Sequence, residues 1–394
     1  MSLTEEILDI RESSAEQNYA THGFFRFYGK LPPLVVRSIL KGSEGEPVVD
    51  IMCGSGTTLV ESILANRSCV GIDVNPFCVL VSKVKATLLN TDSLREFLAK
   101  LETELAPINT LNSQKTLRHE SNSTNADLDN ILEAGRKFIP KTKNVDFWFE
   151  EKRRLELGFI LFQISKLQDA DMKNFFRVAI ASIIRKVSKA SPRAGKLFRT
   201  DKRDENIISL FHKQSTRMIN GMDELNRSAT SSVSVETLVG EIRNYPLRRK
   251  VAPVVFWHPP YLALYRYSAI YVLEMDWLGF DRKKVRKGEI EEGYKSGETE
   301  KYHAYLRDLR SVLEASYDVL EANGQLLVVI ADSSLRGKAL PVVSPFLKAA
   351  GECGFAIDKT MTRKIHFSQA VYHPSSQGHI RRPEDKVLFL RKTE

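Results

Sequence analysis

Val48-Val-Asp-Ile-Met-Cys-Gly-Ser-Gly-Thr-Thr-Leu-Val-Glu-Ser-Ile-Leu-Ala-Asn-Arg-Ser-Cys-Val-Gly-Ile-Asp73 is the run that decides the fold class. Val48, Val49 and Ile51 form a short apolar run of strand type, ended by Gly54-Ser55-Gly56. Beyond the glycines Leu59, Val60, Ile63 and Leu64 recur at helical spacing, so the hydrophobic period changes at the turn. Cys69 to Ile72 is a second apolar run, and it delivers Asp73. The order strand, glycine turn, helix, strand predicts a βαβ unit. In such a unit the amides that open the helix face outward, and glycine lets a ligand's polar groups approach closely. A carboxylate ending the second strand is placed to accept hydrogen bonds from both hydroxyls of a ribose, the role expected of Asp73.

The glycine spacing then selects among adenosine cofactors. A dinucleotide fingerprint requires a third glycine three residues after Gly56, where this chain has Leu59, which disfavours NAD and FAD. S-adenosyl-L-methionine carries no phosphate but has an ammonium, a carboxylate and a sulfonium, and so suits an acidic residue, Asp50, at the end of the first strand. The expected cofactor residues are Asp50, Met52, Cys53, Gly54, Ser55, Gly56, Thr57, Thr58, Asp73, Val74 and Asn75.

Residues 50–58, with Gly71-Ile-Asp-Val-Asn-Pro76 behind them, resemble the cofactor motif of amino-group DNA methyltransferases, and more narrowly the site-specific cytosine-N4-type modification methylases. Phe27-Tyr-Gly-Lys-Leu-Pro32 upstream, and Pro259-Pro-Tyr261, Tyr267, Glu274 and Trp277-Leu-Gly279 downstream, extend the resemblance over much of the chain. It implies an α/β, Rossmann-like class I methyltransferase: a mixed seven-stranded sheet with an antiparallel last strand, plus a helical insertion. It further implies S-adenosyl-L-methionine as cofactor and double-stranded DNA as partner, with a restriction endonuclease or defence-system protein as a second partner. Tyr28 and Lys30 are implied to hold the methionine end, although Gly29 stands where the family tends to carry a proline-alanine pair.

Val251 to Trp257 is an apolar run that stops at His258-Pro259-Pro260-Tyr261. Two prolines exclude both helix and ladder, which makes this a turn at the end of a strand. Tyr261 offers a flat face on which a base turned out of a duplex could stack. An exocyclic amine is a poor nucleophile because its lone pair is delocalised into the ring; acceptors aimed at its two protons localise that pair for in-line attack. The resemblance implies that residue 258 and the Pro259 carbonyl are those acceptors. The expected catalytic set is His258, Pro259, Pro260 and Tyr261, and the turn is expected to share one cleft with the Gly54 turn. No cysteine follows a proline, which argues against a covalent cytosine-C5 mechanism.

His258 departs from the family, whose serine or aspartate goes with cytosine or adenine respectively. Cytosine N4 is the expected target, with adenine N6, a guanine-N2-type RNA reaction and a catalytically silent nucleic-acid-binding protein as alternatives. A neutral imidazole accepts a hydrogen bond and an imidazolium does not, so methyl transfer is expected to fade below about pH 6.5.

The remaining chain fits this reading. Its 394 residues are 42% hydrophobic and 27% charged, the composition of an ordinary globular protein, and a formal charge of +9 favours a polyanionic partner. After the helical stripe Phe176, Ile180, Ile183, Ile184, Val187 come basic residues interrupted by Ser188, Ser191, Pro192 and Gly195. Arg185, Lys189, Arg193, Lys196 and Arg199 there, with Arg381 and Arg382 in the polar run Ser368 to Pro383, are the expected nucleic-acid contacts. Four cysteines without paired spacing indicate a reduced, cytoplasmic setting and no metal, and neither a signal peptide nor a membrane-spanning run is expected. The expected organisation is 1–110 for the N-terminal segment and cofactor half, 111–245 for a helical insertion and 246–394 for the catalytic half. Within it, residues 1–20 read as a loose arm, 110–130 as a loop, and the last two strands as an antiparallel hairpin.

Overall fold

The computed structural model describes residues 6–11, 16–115, 133–191, 197–200, 205–230, 232–244, 252–262, 266–290, 297–335, 338–365 and 384–393. β1 (Glu6–Leu8) precedes α1 (Pro33–Leu40), which begins on a proline where no amide partner is needed. β2 (Val48–Asp50), α2 (Thr57–Leu64) and β3 (Cys69–Asp73) are the unit built around the glycines. α3 (Pro76–Ala86) starts under Asn75, whose side-chain oxygen accepts from the Phe77 amide at 3.0 Å. α4 (Thr91–Lys115), α5 (Val145–Trp148), α6 (Glu151–Ser165), α7 (Ala170–Val187) and α8 (Ile207–Ser228) form a helical block. β4 (Val235–Val239) and β5 (Ala252–Trp257) follow, then α9 (Tyr267–Ile270), α10 (Val272–Leu278), α11 (Arg282–Gly288) and α12 (Glu298–Val319). β6 (Leu320–Ile330), a small hairpin of β7 (Ser333–Leu335) and β8 (Lys338–Leu340), α13 (Val343–Glu352), β9 (Phe355–Lys364) and β10 (Glu384–Lys392) complete the chain.

The main sheet runs β1-β9-β10-β6-β5-β2-β3-β4. β10 is antiparallel to both β6 and β9, and the other pairings are parallel. This is the Rossmann-like class I methyltransferase arrangement with its antiparallel last strand, but with eight strands where seven are expected. The addition is β1, from the arm expected to be loose, which pairs with β9 from Glu6↔Met361 to Leu8↔Arg363. Three residues are too few to carry a readable period.

From β2 the chain moves outward through β3 to β4, then returns to lay β5 on the other side of β2. The carboxyl ends of β2 and β5 therefore flank a topological switch point, where open α/β sheets bind ligands. Asp50 is in register with Phe256, so the turns that begin at Ile51 and His258 leave the sheet side by side.

Alternate strand residues face opposite sides, and each side has its own core. Val48, Val254, Phe256 and Leu327 face α1 to α3 and the helical block; Val49, Ile72, Val255 and Leu326 face α12 and α13. The block shares one continuous core with α3, through Phe77, Phe175, Phe176 and Met218. Its expected limits shift at both ends. α4 runs through 110 and takes up the start of the expected 110–130 loop, while β4 belongs to the sheet although it lies before 245. Among the described residues no helix is long and apolar enough to cross a membrane.

Candidate active site

The switch point opens into a cleft whose empty space, counted out into the open solvent at its mouth, is about 980 Å³. Its walls include Asp50, Met52, Cys53, Gly54, Ser55, Thr57, Thr58, Asp73, Val74 and Asn75, together with Lys30, His258 and Pro260. The two turns therefore face one space. Gly54 has φ +50°, and a Cβ there would sit 3.2 Å from the Phe27 ring. Gly56, at φ +74°, does not line the cleft: it caps α2 against α3, where a Cβ would meet Ser82 at 2.8 Å.

Two carboxylates, Asp50 buried and Asp73 half-buried, dominate the electrostatics. Asp50 accepts from the Met52 amide at 3.1 Å and from Thr58, yet burial outweighs these bonds and pushes its pKa up to about 7. Asp73 accepts from the Gly54 amide at 2.9 Å and the Asn75 amide at 2.8 Å, and burial pushes it up to about 6. Both pay a desolvation cost for their charge that a cationic ligand would offset. Burial likewise holds the Cys53 thiol well above its usual range, which leaves it unreactive.

The second wall begins where β5 ends. His258 is half-buried, with Nε2 3.3 Å from the Tyr261 hydroxyl, which in turn donates to Asp385 Oδ2 at 3.2 Å. Burial and the nearby Arg363 charge push the imidazolium down to about 3. This environment favours the neutral ring, and so runs against the expected loss of its acceptor below pH 6.5. The Pro260 carbonyl accepts from the Tyr305 hydroxyl at 3.0 Å, which fixes the turn to α12.

Several expected residues are elsewhere. Tyr28 is buried behind the wall, its amide accepted by the Tyr271 hydroxyl at 2.8 Å, while Phe27 and Lys30 reach the cleft. Pro259 and Tyr261 stand beside the cleft without lining it. Arg185 is 7% exposed and pairs with Glu274 at 3.0 Å, joining α7 to α10; it is a structural cation, not a surface phosphate contact. Lys189 and Arg199 lie on two antiparallel segments joined by the Ser191 amide to Phe198 oxygen bond at 2.7 Å. Arg193, Lys196, Arg381 and Arg382 lie outside the described residues.

Other lining residues escape the sequence reading. Phe27 and Tyr267 stack at 5.1 Å to form an aromatic wall. Gly240, Glu241 and Ile242 follow β4, and Gly288 ends α11 with Glu289 and Ile290 after it. Val235-Glu-Thr-Leu-Val239 before a glycine was the available signal for the first group. Nothing local signals Lys85, a fully buried amine that donates to the Ser55 carbonyl at 2.6 Å and braces the glycine turn from behind; burial holds it well below its usual range.

No protein-family model matches the chain. It is similar to the type II methyltransferase M.MvaI of Kocuria varians, with 26% identity over 229 residues that make up 55% of this chain and 47% of that one. It is also similar to the type II methyltransferase M.MjaII of Methanocaldococcus jannaschii, with 30% identity over 145 residues, 36% of this chain and 25% of that one. Among solved structures, the rRNA methyltransferase aviRa of Streptomyces viridochromogenes aligns over 92% of this chain and 86% of its own, at 9% identity and a TM-score of 0.35. The matched segments thus span about half of M.MvaI and a quarter of M.MjaII.

Proposed function

We propose that this chain, a sequence relative of type II methyltransferases, is an S-adenosyl-L-methionine-dependent methyltransferase of double-stranded DNA acting on an exocyclic amine, with cytosine N4 as the preferred target. One observation carries the proposal: the glycine turn after β2 and, through His258 and Pro260, the turn after β5 wall the same cleft. The residues present fit the cofactor, because a buried carboxylate, Asp50, and a half-buried one, Asp73, stand in a cleft that a glycine opens to close approach. Asp50 is the counter-charge for the ammonium and Asp73 the acceptor for the ribose hydroxyls. When bound, S-adenosyl-L-methionine supplies an electrophilic methyl group on its sulfonium.

The chain's own work is to position and polarise the amine. His258, whose imidazolium is pushed down to about 3, stands at the cleft wall and accepts one amino proton, which draws the nitrogen lone pair out of the ring for attack. The Phe27 and Tyr267 rings shield the cleft from water. Incubation with methyl-labelled cofactor and duplex DNA, followed by mass spectrometry of the nucleosides, is the test. N4-methylcytosine supports the proposal in full, N6-methyladenine corrects the base, and label in tRNA but not in DNA overturns it. A restriction endonuclease reading the same site is the partner this function implies.

A further inference from the structure

Behind His258 lies a chain of groups that the methyl-transfer reading does not use. Asp385, on β10 and 1% exposed, is held by two contacts from Arg363 on β9: Nε to Oδ1 at 2.9 Å and Nη2 to Oδ2 at 2.8 Å. A carboxylate gripped in this way is ionised and only accepts. The Tyr261 hydroxyl, 3.2 Å from Oδ2, must therefore spend its single proton on Asp385. The hydroxyl oxygen keeps lone pairs with which to accept, and His258 Nε2 lies 3.3 Å from it.

We infer that the antiparallel hairpin β9-β10, through Arg363, Asp385 and Tyr261, fixes His258 as the Nε2–H tautomer and so leaves Nδ1 as the bare acceptor offered to the cleft. The inference rests on the proposed methyl transfer for its purpose, but not for its content. In free imidazole both neutral tautomers are populated, and a ring protonated at Nδ1 would present a donor to an amine that needs an acceptor. The relay removes that choice. Arg363 has a second effect in the same direction, since its charge disfavours a protonated ring. On this account Tyr261, Asp385 and Arg363 are positioning residues: they act on the base through His258. The histidine at 258, which departs from serine and aspartate, works as an acceptor because a buried ion pair more than 100 residues later in the chain sets its proton.

The test is made on the full chain without substrate. Long-range proton–nitrogen correlation spectra of the ¹⁵N-histidine protein, with His258 assigned by the His258→Gln spectrum, report which ring nitrogen carries hydrogen. The expected result is Nε2 protonated and Nδ1 bare, and a changed tautomer balance in Tyr261→Phe, which keeps the ring and removes only the hydroxyl. Protonation at Nδ1 in the wild type, or the same tautomer in Tyr261→Phe, overturns the relay. In a methyl-transfer assay, Tyr261→Phe lowers kcat about tenfold while cofactor KM stays unchanged; a change in KM alone also counts against it. The spectra do not depend on turnover, so loss of the enzymatic reading and loss of the relay are told apart.

Discussion

Asp50 sits fully enclosed at the end of β2, and its pKa of about 7 couples cofactor binding to protons. A cationic ligand favours the ionised carboxylate, so cofactor affinity is expected to fall about tenfold for each pH unit below 7, as read by calorimetric titration. Affinity that stays level between about pH 5.5 and pH 8 would remove Asp50 from the ammonium site. At saturating cofactor that limb disappears, and turnover should stay flat to about pH 5.5, because His258 is already neutral there; a midpoint near 6.5 would restore the histidine titration that the bare sequence suggests. The same shift has a cost in stability. The folded pKa lies above the ordinary aspartate value of 3.8, so the folded state holds the extra proton between the two, and the stability this gives is lost as pH rises through about 7. Asp50→Asn should therefore abolish cofactor binding and yet raise unfolding free energy at about pH 8 by roughly 2–4 kcal/mol, with little gain near pH 4, in urea titrations.

At the level of elements, the helix-opening turn depends on close packing as much as on backbone freedom. Gly56→Ala would force a left-handed residue and drive a methyl into the Ser82 backbone, whose Cα lies 2.9 Å from the added carbon. A loss of about 2–4 kcal/mol is expected, from the positive φ and the overpacking of α2 on α3. Gly351→Ala in α13, where an added Cβ meets nothing within 4 Å, should instead gain up to about 1 kcal/mol in the same denaturant experiment. Equal effects in the two variants would dismiss the packing argument. This turn was legible because strand period gives way to helix period across two glycines, and β5 because an apolar run stops dead at two prolines. β1 left no such trace. β4 did not stand out either, because an edge strand that is only half-buried alternates weakly. The stretch Pro107-Ile-Asn-Thr-Leu-Asn112 has loop composition but continues α4, whose earlier turns are anchored by Leu94, Leu98, Leu101 and Leu105. Arg185 read as one more surface cation because its partner Glu274 is 89 residues away in sequence, and no local pattern announces a buried pair.

For the whole molecule, the chain order of the strands does most of the work, since the switch between β2 and β5 sets two turns, distant in sequence, on one cleft. The proposed duplex substrate would need a grip that the topology does not supply, and charge is the physical means for it. α11 carries Lys283, Lys284 and Lys287 on its exposed side and ends at Gly288 to Ile290, which line the cleft, so these lysines stand close to where a flipped base would enter. Arg282 is excluded from the count because it is paired with Asp276 at 2.7 Å. Each lysine that meets a phosphate releases a counterion, which contributes about 0.9 to the slope of log affinity against log salt. Replacing all three with alanine should flatten that slope by up to about 2.7 in fluorescence-anisotropy titrations with duplex DNA, and weaken binding uniformly across sequences, since phosphate contacts carry no base information. Cofactor affinity should not change, because none of the three side chains lines the cleft. A slope equal to that of the unaltered protein would assign the duplex to another face, with the paired segments bearing Lys189 and Arg199 as the next surface to neutralise.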